Sequence, residues 1–288
     1  MLNNDNKYIS TTVLKDNTPL QKGLEILVKL GYNNIELGST HPFESNTKEI
    51  LGLFNCNYLV HNYFPTPKKE LIVNICSDND DIRRMSIQHI KERIIFSSEI
   101  NAGLFTFHPG YISHPISTNT SNDNWDFRYD RNKNKPLPYE EAFLLLLDAV
   151  NQFVEIAEKY AQPIAIETTG SIRQKDNLLM QKPIEFKRLF DEINSKLLGI
   201  NLNIGHLNLA SKVFEFSRFK FIDFLKEKIF AFEISHNNRE NDDHKLFQKG
   251  EWYWDVIENK KFSSTPMIFE GRETNLLDYN KLWNINKE

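Results

Sequence analysis

Polar and apolar positions along the chain follow one repeating rhythm. A short β-branched or aromatic run gives way to a polar turn, and the turn to a helical period. Eight runs read as strands: Lys7–Leu14, Asn34–Gly38, Tyr58–Phe64, Leu104–His108, Ile164–Thr168, Leu198–Ile204, Ile229–Ser235 and Pro266–Gly271. Most lack clean alternation, the pattern of a parallel sheet covered on both faces. Between them, apolar residues recur at helical spacing. Leu20, Leu24, Leu27 and Leu30 mark one face of Pro19–Leu30, which Gly31 can stop. Ile82, Met85, Ile90 and Ile94 mark Asp78–Glu99, and Phe143, Leu146, Val150, Phe153 and Ile156 mark Tyr139–Tyr160. Shorter helices are expected over Ile184–Ile193 and Phe221–Lys228. Strand–helix alternation over the whole length predicts a parallel α/β architecture. Eight strands favour closure into a single (β/α)₈ TIM barrel over residues 1–288, with its active site at the C-terminal strand ends.

One segment breaks the rhythm. Tyr111–Pro138 is long, polar and without helical period, yet it carries Trp125, Phe127, Arg128 and Tyr129. Loops of that length are usually functional or disordered, and the aromatic residues favour an active-site lid.

Composition narrows the function classes. The 288 residues suit one barrel of roughly 250 residues with an insertion. A formal net charge of −4 argues against a nucleic-acid partner without excluding one, since Arg128–Lys135 holds four basic residues. With two cysteines, Cys56 and Cys76, neither a disulfide scaffold nor a cysteine zinc site is expected. The polar start MLNNDNKYIS and the lack of a long apolar run predict a cytoplasmic protein with no membrane partner.

Candidate chemistry comes from where polar residues interrupt apolar runs. His61, His108, His206 and His236 fall within or just past strand ends, as do Glu167, Glu233 and Glu270. A carboxylate inside IAIETT, FAFEIS or MIFEGR is costly unless it is paired or bound to metal. Gathered at one barrel mouth, such carboxylates repel, and a cation is the simplest neutraliser. His89 reads as a packing or surface residue of a helix, and His41 and His114 as loop residues.

The motifs GYNNIELGS, VHNYFP, TFHPG, AIETTG, NLNIGH, FEISHNNRENDDH and IFEGR follow one another in an order and spacing that span nearly the whole chain. In this the chain resembles the xylose-isomerase-like barrel superfamily, which holds sugar and sugar-phosphate isomerases and epimerases and also endonuclease IV. The resemblance implies a divalent metal cofactor, Zn²⁺ or Mn²⁺ with Mg²⁺ as a third candidate, in one to three ions. It implies that His61, His108 and Glu167 hold one ion and that His206, Asp242 and His244 hold another. Glu167, Asn203, Glu233 and Glu270 match the central metal site. Two positions depart from the family: Asn203 stands where Asp is usual, and Glu233 where His is usual. The central set becomes all oxygen, with Asn203 a weak ligand through its carbonyl.

Three functions follow as expectations. The first is a metal-dependent isomerase or epimerase of a sugar or sugar phosphate. Glu167 and Glu270 would be its acid and base, and His236, Arg239, Arg272 and Trp125 would contact substrate. The second is a multinuclear phosphodiester hydrolase resembling endonuclease IV. The third is a non-catalytic ligand-binding barrel. The sequence leaves the oligomeric state open.

Overall fold

A computed structural model describes residues 6–69, 71–113, 136–172, 178–271, 276, 278 and 279. Eight parallel strands close a barrel in chain order: β1 (Lys7–Ser10), β2 (Asn34–Leu37), β3 (Asn57–His61), β4 (Phe105–Phe107), β5 (Ile164–Glu167), β6 (Leu198–Asn203), β7 (Ile229–Ile234) and β8 (Met267–Phe269). The last strand pairs with the first, with Ile9 opposite Phe269. Around it lie α1 (Leu20–Lys29), α2 (Thr47–Leu51), α3 (Asp80–Glu99), α4 (Tyr139–Tyr160), α5 (Pro183–Glu192), α6 (Ile204–Val213), α7 (Arg218–Leu225) and the short α8 (Trp254–Ile257). None of the described helices is long and apolar enough to cross a membrane.

Helix starts follow local chemistry. Asn79 caps α3 by accepting from the backbone N–H groups of Asp81 and Ile82, and acidic residues fill the first turn. Leu20, Leu24 and Leu27 bury one face of α1, and Phe143, Leu146, Val150 and Phe153 one face of α4.

The strands alternate more strictly than their sequences suggest. Outward residues such as Ile35, Val60, Phe105, Ile166, Leu202 and Phe232 are wholly buried against the helices. Inward residues change character with height. Leu59, Leu104, Ala165, Ala231 and Ile268 form an apolar floor, with Tyr8 and Phe230 packed against it. Above them the same strands present His61, Thr106, Glu167, Glu233 and Glu270. The strands lack a clean alternation in sequence because each has only one to three inward positions, and the lower of these are apolar like the outer face.

Candidate metal centre

Register sets the height of each inward side chain. His61 is the parallel partner of Thr106, Glu167 of Asn201, and Asn203 of Glu233. Partners point to the same face, so these residues form a ring near the C-terminal mouth.

One side of the ring gathers His61, His108 and Glu167. The Nδ1 atom of His61 lies 2.7 Å from the Thr106 hydroxyl. Its Nε2 faces His108 Nε2 at 3.1 Å, and His108 Nε2 lies 3.0 Å from Glu167 Oε2. The far side gathers His206, Asp242 and His244. His206 Nδ1–H donates to the Thr168 carbonyl at 2.7 Å, which leaves its Nε2 3.0 Å from Asp242 Oδ2. His244 reaches the same oxygen at 3.1 Å, and its Nδ1 lies 2.9 Å from Glu270 Oε2. Asp242 Oδ1 is buried without a hydrogen-bond partner. In each group, two imidazoles and a carboxylate present atoms within 4.8 Å of one another. Three ligands of this kind, with imidazoles held from behind, fit a divalent cation.

Asn203 sits between the groups with a different orientation from the expected ligand. Its Oδ1 accepts the backbone N–H of His206, and its Nδ2 donates to Glu167 Oε1 and Glu233 Oε2, both at 3.1 Å. Asn201 also donates to Glu233 Oε2, at 3.2 Å.

A fourth buried carboxyl lies in the ring that sequence reasoning missed. Glu36, on β2, is 1% exposed, and its Oε1 lies 3.8 Å from His61 Nδ1 with no hydrogen bond of its own. Its signal was the one that marked the other three, a carboxylate inside an apolar run (NIEL). Glu36, His61 and Glu233 form a third group of potential ligands.

Crowding separates the protonation of these groups. Burial pushes the Glu36 carboxyl up to about 8, aided by the charges of Glu270 and Glu167. Burial raises Glu233 as well, with Glu167, Glu270 and Glu36 adding to it. Burial would also raise Glu167, but His108, His206 and His61 outweigh it and hold that carboxyl well below its usual range. Burial pushes His61 down to about 4. Burial opposes charge on His244 too, yet Asp242 and Glu270 overcome it and lift the imidazole to about 10. The mouth therefore holds protonated and ionised groups side by side.

The other expected site residues divide. Glu270 directly follows β8 at the mouth and is 9% exposed. His236 pairs through its backbone with Lys245 and turns its ring toward the Tyr253 hydroxyl at 3.4 Å. Arg239 lies along α6, where its guanidinium donates to the Asn208 carbonyl and the Ser211 hydroxyl. Trp125, Arg272 and nearly all of the candidate lid at 111–138 lie outside the described residues. Away from the ring, His41 is buried with its Nδ1 2.8 Å from the Thr18 carbonyl, and His89 is buried beside Tyr63.

Fold and site together define a (β/α)₈ barrel with a polar, ligand-rich mouth. A family model described as xylose isomerase-like TIM barrel matches residues 24–281, and the chain belongs to that family. It is 25% identical over 269 residues to the uncharacterized protein MJ1614 of Methanocaldococcus jannaschii, covering 90% of each chain. Among solved structures, a D-tagatose 3-epimerase-like protein superposes with a TM-score of 0.69 at 20% identity, over 98% of this chain and 100% of that one. The 3-keto-D-glucoside 4-epimerase of E. coli gives 0.69 at 10% identity, over 96% of each. An AP endonuclease, family 2, of Brucella melitensis gives 0.67 at 8% identity, over 97% of each. At these identities the likeness is one of fold.

Proposed function

We propose that the protein is a metal-dependent isomerase or epimerase of a sugar or sugar phosphate. The observation that carries this reading is the gathering of four buried carboxyls, Glu36, Glu167, Glu233 and Glu270, between two histidine–carboxylate groups at one mouth. Moving a proton on a carbon beside a carbonyl needs a base and an acid in one dry site. Glu167, kept ionised by its histidines, is the base that takes the proton. Glu270, from the other end of the chain, is the acid that returns one. Glu233 and Glu36 hold further protons close by. His61, His108 and Glu167 would hold one ion, and His206, Asp242 and His244 another. Their histidine-containing sets suit Zn²⁺, whereas oxygen ligands alone would favour Mn²⁺ or Mg²⁺. A bound ion supplies Lewis acidity toward the substrate's carbonyl and hydroxyl oxygens. His236, half-buried near the mouth, is the described candidate for holding substrate. Arg239 spends its guanidinium on α6. The likeness to epimerase folds agrees with this reading.

One observation favours a second reading, phosphodiester hydrolysis. Both three-ligand groups are complete, and paired ions suit an in-line displacement.

Incubation of the Zn²⁺- or Mn²⁺-loaded protein with keto sugars and their phosphates in deuterated water separates the two. Proton NMR should show deuterium entering a carbon next to the carbonyl, and Glu167→Gln should abolish it. Absence of exchange across the panel, with cleavage of an abasic-site duplex, would establish the hydrolase instead. Absence of both would leave a ligand-binding barrel.

A further inference from the structure

The central position departs from the family in kind. Asn203 precedes α6 and caps it, its Oδ1 accepting the His206 N–H at 3.0 Å. The first turn of a helix leaves its N–H groups without partners, so this acceptor has a structural duty. Asparagine has one side-chain oxygen, and here it is used. The amide nitrogen must then face the opposite way, and both Glu167 Oε1 and Glu233 Oε2 await it at 3.1 Å. The reverse orientation would set an NH₂ against the His206 N–H and an oxygen against two carboxyl oxygens. The helix N–H on one side and the ionised Glu167 on the other therefore choose the same assignment. An aspartate differs here, because one oxygen can cap while the other ligates. Asparagine is thus a donor at this position where a weak ligand was expected. One oxygen of Glu233 is occupied as well, since its Oε2 takes a second N–H bond from Asn201 at 3.2 Å. Glu167, Asn201, Asn203 and Glu233 are all at most 2% exposed, which shields these bonds from bulk solvent.

We propose that the Asn203 amide takes the place of a central cation, so that the barrel holds two ions, one at His61/His108/Glu167 and one at His206/Asp242/His244. The inference rests on the metal reading of those two flanking groups. It does not depend on which reaction they serve. Two N–H bonds offset part of the repulsion that an ion would otherwise relieve, and the two facing oxygens, Glu167 Oε1 and Glu233 Oε2, already accept them.

Metal content tests this. Protein loaded with Zn²⁺ and dialysed against metal-free buffer should carry two zinc ions per chain by plasma mass spectrometry. Asn203→Asp should carry three, because its second oxygen is free to ligate. Three ions in the wild type, or two in a folded Asn203→Asp variant, would overturn the proposal while leaving the metal reading intact. No bound ion would overturn both. A measurement on the wild type alone guards against a variant that does not fold: anomalous diffraction from zinc-loaded crystals should give a peak at each flanking group. A peak between Glu167 and Glu233 would refute the inference. Two ions without deuterium exchange would defeat the isomerase reading and leave this one standing.

Discussion

His61 and His108 face each other through their Nε2 atoms at 3.1 Å, and Thr106 holds His61 from behind at 2.7 Å. At such a contact only one of the two Nε2 atoms carries a proton and donates it to the other, and a shared cation would take that proton's place. Thr106→Val keeps the volume and removes the hydroxyl. Affinity for Zn²⁺ at this group should fall by about 10–100-fold, as for other losses of a group that orients a metal-binding histidine. Chelator competition measures it, and an unchanged affinity would remove Thr106 from the site.

Stability of the metal-free protein should fall as pH rises from 6.5 to 8. Glu36 is raised from its ordinary 4.5 to about 8, so the folded state favours its proton, and the benefit is lost through that interval. His244, raised from 6.5 to about 10, acts in the same direction. His61, lowered to about 4, works the opposite way, but only below its ordinary 6.5. Melting temperatures across pH 6.5–8 should decline, and Glu36→Gln should flatten the decline by about 1–2 kcal/mol. A wild type with a level profile would contradict this account of the ring.

Glu167→Gln should lower turnover by about 100- to 10,000-fold, the usual range for loss of a general base. The fold should survive, because one of four crowded carboxyls is replaced by a side chain of the same shape. Circular dichroism together with kcat on the substrate found by deuterium exchange gives the answer. Normal turnover would exclude Glu167 from the chemistry.

Gly170→Ala should damage the second ligand group from behind. A Cβ there would stand 2.5 Å from the His206 carbonyl oxygen and 2.6 Å from its Cα, atoms of backbone that cannot swing aside. The expected cost is about 1–3 kcal/mol of stability, with weaker metal binding at His206, Asp242 and His244. Binding and melting curves indistinguishable from the wild type would show that the loop yields freely.

Much of this was legible in the chain. Apolar runs broken by Glu167, Glu233 and Glu270 located three strands and their polar ends at once, because burial makes an unexplained carboxylate conspicuous. Glu36 carried the same mark in a four-residue strand and passed unnoticed. The run Leu198–Ile204 reads as strand to its end, but the chain turns helical at Ile204. Strand and helix adjoin there without a loop, and the apolar Ile204 fits either period. The direction of the Asn203 amide was beyond sequence reasoning, since it depends on a helix N–H on one side and two carboxyls on the other. So was the placement of Arg239, which follows from a loop stapled to α6 by Asn237 and Asn208.

The pairing of His61 with Thr106, and of Asn203 with Glu233, ties the chemistry to the assembly of the sheet. A slip of one residue in β3 would turn His61 out among the helices, and a slip of two would lift it about 7 Å along the strand. Neither misaligned barrel could gather the same three ligands. If the flanking groups take up ions as proposed, uptake by a refolding chain would act as a proofreading step, retaining the correctly registered barrel and discriminating against its near neighbours.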